Sequence, residues 1–243
     1  MQGLKCIRLI RERNAFYKER LNALGQVFKE YVETQPAHLS YPNITELYLN
    51  SIVKDVVEKA ESLDTFMESL HVLRNSFPEI IEEWRQDIHQ QLFKLASDGL
   101  TAAKVQFDPD TVMDLATTTF RCDRCYKILS THESITHPCA RHWGYYSSAK
   151  LRSELAAVKE VLQELPWNAT ENIEFYQPTL QRLHRAWHLC GFDPKTLTVA
   201  QLKNIDPIIE CSACSTVHTG RATMRWQGMV GFRLLRTCSF YPC

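Results

Sequence analysis

The chain has 243 residues, of which 44% are hydrophobic and 23% charged, a composition typical of a soluble globular protein. Its 28 Lys and Arg balance 28 Asp and Glu, and this neutrality argues against binding of nucleic acid over the whole surface. The sequence contains no run of about 18 apolar residues, so no transmembrane helix is predicted. The N-terminus lacks the apolar core of a secretory signal. We therefore expect no membrane partner and a location in the cytoplasm or the nucleus.

Helical periodicity dominates the first half of the sequence. Residues 4–33 are predicted as one long helix, because apolar side chains recur at alternating spacings of three and four. Asn43 stands where the N-cap of a second helix is expected, and either Ser62 or Asp64 suits the cap of another. Thr198 is the corresponding candidate for a short helix late in the chain. The fold class predicted is mainly α, an irregular helical bundle with small zinc-knuckle and short β-hairpin elements.

Four segments are predicted from the change of pattern along the chain. Residues 1–99 form an N-terminal helical region without a cysteine cluster, and residues 100–117 form a linker. Residues 118–227 contain the clustered cysteines and histidines, with inserted helices such as Ser147–Leu165. Residues 228–243 form a tail of different character. The functional side chains are therefore expected in the third segment, residues 118–227.

The nine cysteines favour metal binding over disulfides, because an odd number without a signal sequence fits a reducing compartment. Cys6 and Cys190 are isolated in helical stretches and are expected to be small core residues. Five others fall in two short neighbourhoods, namely Cys122, Cys125 and Cys139, then Cys211 and Cys214. These five are the candidate ligands.

The first neighbourhood predicts a zinc site. Cys122 and Cys125 have the Cys-x-x-Cys spacing, which lets two thiolates converge on one ion around a tight backbone knuckle. A tetrahedral Zn²⁺ needs two further ligands. His137 and Cys139 supply them if the segment is extended, because alternate side chains of a strand point to the same side. The predicted ligand set is three cysteines and one histidine.

A second ligand set uses His142 in place of Cys139 and resembles the two-Cys two-His finger. That arrangement needs a helix that carries both histidines. Pro138 directly follows His137, and proline fits badly inside a helix. The sequence therefore favours Cys139 over His142 and leaves both open.

The second cysteine pair has two interpretations. Cys211 and Cys214 either join the first pair in a composite four-cysteine site or form a second site with His218 and a residue of the tail. The composite site encloses a far longer insertion than compact zinc motifs do. Both cysteines are predicted as metal ligands, with the remaining ligands left open.

Catalytic motifs do not fit the sequence. The segment from His132 and Glu133 to His137 is one residue longer than the His-Glu-x-x-His motif of zinc proteases, so the histidines diverge by about 140° on a helix. A thiolate-rich site with four protein ligands is normally structural, because it leaves no open position for water. We therefore predict that the protein is not an enzyme.

Several short segments in a common order resemble a group of zinc-binding-type proteins from mushroom-forming fungi. They are residues 80–85, residues 113–122, His137-Pro-Cys139, and residues 190–194 before the second cysteine pair. The resemblance covers about residues 40–227, and some members of the group are labelled F-box proteins. It implies an intracellular fungal protein with zinc-binding cysteines and brings no established activity. The sequence itself lacks a Leu-Pro-x-Glu segment of the F-box type.

Two functions from different classes follow. The favoured one is a zinc-stabilised helical protein-interaction or adaptor module, F-box-associated if the resemblance holds, with a protein partner. The alternative is a zinc-dependent nucleic-acid-binding protein. Its support is local, because residues 215–243 contain no acid and carry several arginines next to aromatic side chains, namely Arg221, Arg225, Arg233 and Arg236.

Overall fold

The computed structural model describes residues 2–141, 155, 161–162, 164–211, 215, 220–221, 223–226 and 240–242. It confirms the predicted mainly α class with short antiparallel strands. The chain divides into two compact units, each built from two separate stretches. Within the ranges just given, no helix is both long and apolar enough to cross a membrane.

The first unit contains Met1–His89 and Ala140–Glu171. Its helices are α1 (Gln2–Glu33), α2 (Ile44–Leu49), α3 (Ser51–Lys59), α4 (Leu63–Leu73) and the beginning of α5 (Phe77–Ala102), with a 3-10 turn at Arg74–Ser76. The single long helix predicted over residues 4–33 is confirmed by α1.

Polar side chains begin these helices where the sequence predicted. Asn43 caps α2, and its side chain accepts a hydrogen bond from the Glu46 N–H while its own N–H donates to the Glu46 carboxylate. Ser62, rather than Asp64, caps α4 in the same reciprocal manner with Thr65. Each cap satisfies N–H groups that a helix leaves without partners in its first turn.

The core of the first unit consists of the apolar stripes of α1 to α5. Leu24, Leu47 and Phe66 have no exposed surface, and the rings of Phe28 and Phe77 meet edge to face at 5.2 Å. Leu155, Leu162 and Leu165 belong to the same core. The helix predicted over residues 147–165 otherwise falls largely outside the described residues.

A buried ion pair lies in the first unit. The Glu46 carboxylate, whose side chain is 4% exposed, is 3.3 Å from the Arg141 guanidinium and accepts a hydrogen bond of 2.9 Å from the Trp167 N–H. Arg141 also donates to the Tyr41 carbonyl at 3.2 Å. Glu46, which pairs with the Asn43 cap of α2, therefore also anchors two segments that lie about a hundred residues later in the chain.

The second unit contains Gln90–Cys139 and Asn172–Cys243. Its helices are the end of α5, then α6 (Thr131–Thr136), α7 (Gln177–Leu189) and α8 (Val199–Ile205), with a 3-10 turn at Val112–Asp114 and the beginning of another at Pro138–Arg141. Its strands are β1 (Phe120–Cys122), β2 (Ile128–Leu129), β3 (Ile173–Phe175), β4 (Ile208–Cys211), β5 (Thr223–Arg225) and β6 (Phe240–Pro242). They form two antiparallel sheets, ordered β2-β1-β3 and β5-β4-β6.

The segment predicted as a linker, residues 100–117, lies within this second unit. Val112 and Ala116 are buried, and the Ala116 N–H donates to the Leu197 carbonyl at 2.9 Å. The division into compact units thus follows other boundaries than the four predicted segments. Of the predicted tail, residues 240–242 are described, and they form β6.

Candidate metal centre

A β-hairpin carries the first two candidate ligands. Strand β1 ends at Cys122, and β2 begins at Ile128 in antiparallel register with it. The Cys122 N–H donates to the Lys127 carbonyl at 3.0 Å, and the Tyr126 N–H donates to the Cys122 carbonyl at 2.7 Å. Tyr126 adopts a φ of 60°, the left-handed conformation that lets the chain turn back after Cys125. The predicted short hairpin is confirmed.

A short helix and a turn carry the other two. Ser130 caps α6 in a reciprocal pair with Glu133, and the Thr131 hydroxyl donates to the Met113 carbonyl at 2.8 Å. The helix ends at Thr136, because Pro138 disfavours the helical conformation for the residue before it, and His137 becomes the extended C-cap. Pro138–Arg141 then forms a 3-10 turn that contains Cys139.

The backbone conformation that brings His137 and Cys139 together differs from the one predicted from the sequence. His137 is extended, with φ −67° and ψ 122°, but Cys139 lies in the 3-10 turn and not in a strand. The expectation of an extended segment was therefore wrong for Cys139. A sharp turn at Pro138, rather than strand alternation, brings the two side chains to the same side.

The four side chains meet. The Sγ atoms of Cys122, Cys125 and Cys139 and a ring nitrogen of His137 all lie within 4.8 Å of one another, and Cys125 Sγ is 3.2 Å from His137 Nε2. A tetrahedron with metal–sulfur bonds of about 2.3 Å and a metal–nitrogen bond of about 2.0 Å has edges of roughly 3.5 to 3.8 Å. Small side-chain adjustments close this gap, so the four residues can hold a metal ion.

The four ligand side chains differ in how much of their surface is exposed. Cys122 is fully buried and the His137 side chain nearly so, whereas Cys139 is half-buried and Cys125 exposed. Two ligands of the cluster are therefore buried, and one thiol, that of Cys125, lies at the surface. This arrangement lets an ion enter from solvent while the buried ligands keep their positions.

The cysteines of the cluster differ in the direction in which their pKa values are shifted. Burial and the negative charge of Cys122 raise the pKa of Cys139 to about 11. Burial also acts to raise the pKa of Cys125, but the Lys127 N–H and the neighbouring thiols outweigh it, so this pKa is lowered. The pKa of His137 is lowered, mainly by burial and then by the charge of Lys127. A neutral imidazole and one readily ionised thiol suit metal binding.

Asn172 connects the two ligand segments, and sequence reasoning missed it. Its backbone carbonyl accepts a hydrogen bond of 2.8 Å from the Asp123 N–H inside the hairpin loop, and its side-chain amide donates to the Cys139 carbonyl at 3.1 Å. No spacing rule identifies an asparagine so far along the chain, because its role depends on the pairing of β3 with β1.

Arg121 is a second residue that sequence reasoning missed. Its guanidinium is 2.7 Å from Asp123 and 2.6 Å from Glu174 on the neighbouring strand, and it lies 4.7 Å from the ring centre of Tyr176. Asp123 stands between the paired cysteines in sequence. Arg121 therefore fixes the hairpin loop to β3 next to the ligands.

The remaining candidate ligands stay predictions. Cys211 ends β4, where its backbone pairs with Phe240 of β6, but its side chain lies outside the described part of the chain. Cys214, His142 and His218 lie entirely outside it. Cys190 is half-buried and packs against the core around Trp187, as expected of a small core residue.

Comparisons with protein-family models, curated proteins and solved structures found no match for this chain. The resemblance to zinc-binding-type fungal proteins, with their F-box label, therefore stays a prediction. The chemistry of the described site is the remaining basis for a functional conclusion.

Proposed function

We propose that the protein is a zinc-stabilised helical interaction module, in which one Zn²⁺ is held by Cys122, Cys125, His137 and Cys139. The observation that carries this proposal is the donor set itself, with four ligand atoms within 4.8 Å of one another on two separate segments. Thiolate and imidazole ligands in a tetrahedral arrangement favour zinc over the hard cations, which prefer oxygen.

The proposed role of the ion is structural and the protein is not an enzyme. Four protein ligands complete a tetrahedron, so no coordination position is left for a water molecule or a substrate. The ion ties a hairpin to a 3-10 turn on a separate segment of the chain. Such cross-links supply folding free energy in small units.

A groove in the first unit supports the interaction role. It has a volume of about 730 Å³ and runs along α1, where Leu21, Gly25, Phe28 and Val32 form one wall. These residues are spaced at i, i+4, i+7 and i+11, so at 1.5 Å per residue the wall is about 16 Å long. The partner we propose is an amphipathic helix of another protein, because an apolar strip of this length matches about three helical turns.

A site-specific photocrosslinker tests the partner. A benzoylphenylalanine at Asn22, on the rim of the groove, is expected to give one defined protein adduct in cells, and Val32→Asp should abolish it by placing a charge in the groove. The same crosslinker at Glu30, exposed and outside the groove, is the matched control. Equal adducts from both positions, or none from Asn22, would contradict the proposal. The identity of the adduct also tests the F-box association and the cytoplasmic or nuclear location.

Native mass spectrometry of the purified protein tests the metal. We expect at least one zinc per chain, and the loss of one equivalent in Cys122→Ser. Two equivalents would indicate that Cys211 and Cys214 hold a second ion, whereas a composite site gives one equivalent that either pair of substitutions removes. A protein purified without any metal, and unable to take up zinc, would refute the proposal.

Two of the arginines on which the alternative, nucleic-acid binding, depends are described, and both have acidic neighbours. The Arg221 guanidinium is 3.4 Å from Glu210, and that of Arg225 is 3.0 Å from Asp206. Acidic neighbours weaken the attraction of these side chains for phosphate. A salt titration with a mixed DNA and RNA pool separates the two functions, since phosphate contacts require a steep loss of affinity as salt rises.

A further inference from the structure

The second unit contains a cavity that the metal centre does not use. It has a volume of about 400 Å³ and lies between the end of α5, the segment of residues 105–118 and α7. Its apolar wall consists of Leu100, Val105, Phe107, Val112, Leu115 and Leu180. This size and lining are typical of sites that bind small molecules.

Two nitrogen-bearing side chains face the same cavity. His184 of α7 is half-buried, and its imidazole has no hydrogen-bond partner among the described residues. Lys195 follows in the turn after α7, and in the described part of the chain no carboxylate lies within 4.0 Å of its ammonium group. An apolar cavity thus carries positive charge and a free imidazole at one side.

The carboxylates nearby are already engaged. Asp108 also lines the cavity, but its two oxygens accept hydrogen bonds from the Asp110 N–H and the Thr111 hydroxyl within its own turn. Asp193 likewise accepts from the Lys195 N–H and the Thr196 hydroxyl. These contacts hold both carboxylates to the backbone of their turns, so neither neutralises the Lys195 ammonium by direct contact.

We propose that this cavity binds a small monocarboxylate with an aliphatic or aromatic body. The body packs against the wall of Leu100, Phe107 and Leu180, and the carboxylate pairs with the Lys195 ammonium and accepts a hydrogen bond from His184. Lys195 is exposed, so the carboxylate lies at the open side of the cavity, and a single lysine suits one negative charge better than a phosphate, for which several donors converge.

The state of His184 agrees with this arrangement. Burial, and then the positive charge of Lys195, lower the pKa of the imidazole, whereas Asp193 acts in the opposite direction. The ring is therefore neutral near pH 7 and keeps one N–H with which to donate. A carboxylate is the acceptor that such a donor and the neighbouring ammonium share.

Calorimetric titration with octanoate, and with octanol as its uncharged counterpart, tests the proposal on the full zinc-loaded chain. We expect saturable binding of octanoate and at least about tenfold weaker binding of octanol, because the charge-assisted contact is lost. Lys195→Met, which keeps an unbranched side chain of nearly the same length without the charge, should weaken octanoate binding by a similar factor. Lys203→Met, on the exposed side of α8, is the control and should leave the affinity unchanged.

Three outcomes would overturn the proposal. They are equal affinities for octanoate and octanol, an unaltered affinity in Lys195→Met, and no saturable binding up to about 10 mM octanoate. Val105→Trp, which fills the cavity from its rim, gives a second check, since it should abolish binding while the circular dichroism spectrum stays that of the parent. None of these results depends on the metal or on the groove along α1.

Discussion

The side-chain amide of Asn172 donates a hydrogen bond of 3.1 Å to the backbone carbonyl of Cys139. The carbonyl of the same asparagine accepts from the Asp123 N–H in the loop between Cys122 and Cys125. The residue that directly precedes β3 therefore holds both ligand segments. Groups that orient metal ligands in this way affect affinity although they never touch the ion.

Asn172→Ala should weaken zinc binding about tenfold, since the turn at Cys139 loses its anchor while all four ligands remain. The loss of a part-buried hydrogen bond should also lower the free energy of unfolding by about 1 kcal/mol. Competition with a chromophoric chelator measures the affinity. Asn204→Ala, at an exposed position of α8, is the matched control, and an equal effect of both substitutions would argue against the anchoring role.

Cys122→Ser and Cys125→Ser should each destabilise the second unit far more than Cys190→Ser. Structural zinc contributes on the order of 10 kcal/mol of coupled folding free energy, whereas a half-buried cysteine in a small apolar core contributes little more than its volume. Thermal unfolding in zinc-containing buffer ranks the three variants. Similar melting temperatures for all of them would contradict a structural metal.

Removal of zinc should loosen the two units unequally. The core of the first unit, around Leu24, Leu47 and Phe66, contains none of the four ligands, so its helices should keep their packing. Hydrogen-exchange mass spectrometry with and without chelator measures this. We expect faster exchange in peptides that cover residues 120–139 and 172–176, and little change in α2 to α4. A uniform increase would show that both units depend on the ion.

Gly99→Ala and Gly25→Ala should have opposite effects, although both glycines lie inside long helices. A Cβ atom at Gly99 would overlap the ring of Phe175, and overpacking of this kind costs about 1 to 3 kcal/mol. At Gly25 a Cβ would lie 3.6 Å from the Ile44 side chain, an ordinary contact. There alanine should stabilise by about 0.5 to 1 kcal/mol, because glycine is a poor helix former. Urea unfolding measures both, and a shared sign would be incompatible with this packing.

Glu46 should make the stability of the first unit depend on pH. Burial raises the pKa of this carboxyl, and the opposing Arg141 charge and N–H donors only partly offset it. A carboxyl whose pKa is higher in the folded state binds more protons there, so stability falls as pH rises from about 4.3 through the raised value.

Glu46→Gln removes this titration. The advantage of the parent protein over the variant should therefore be largest at acidic pH and shrink as pH rises. Urea unfolding of both proteins from pH 4 to pH 8 gives this difference at each pH, and contributions that the two share, including metal loss, cancel. An advantage that grows with pH would mean that the Arg141 ion pair outweighs burial.

Local features were determined by the sequence itself. The caps Asn43, Ser62 and Thr198 were predictable because a side chain that satisfies its own helix's N–H groups acts within a few residues. The convergence of Cys122 and Cys125 was predictable for the same reason, since a knuckle of this spacing is formed by its own backbone.

Tertiary structure decided the rest. The addition of Cys139 to the site depends on a 3-10 turn after Pro138, and its anchoring depends on Asn172, which reaches it only because β3 pairs with β1. The need for glycine at position 99 of α5 likewise arises from a ring on a strand, that of Phe175 in β3. Contacts between residues tens of positions apart leave no periodicity or spacing in the chain, because they follow from how separate elements pack and not from the conformation of any one of them.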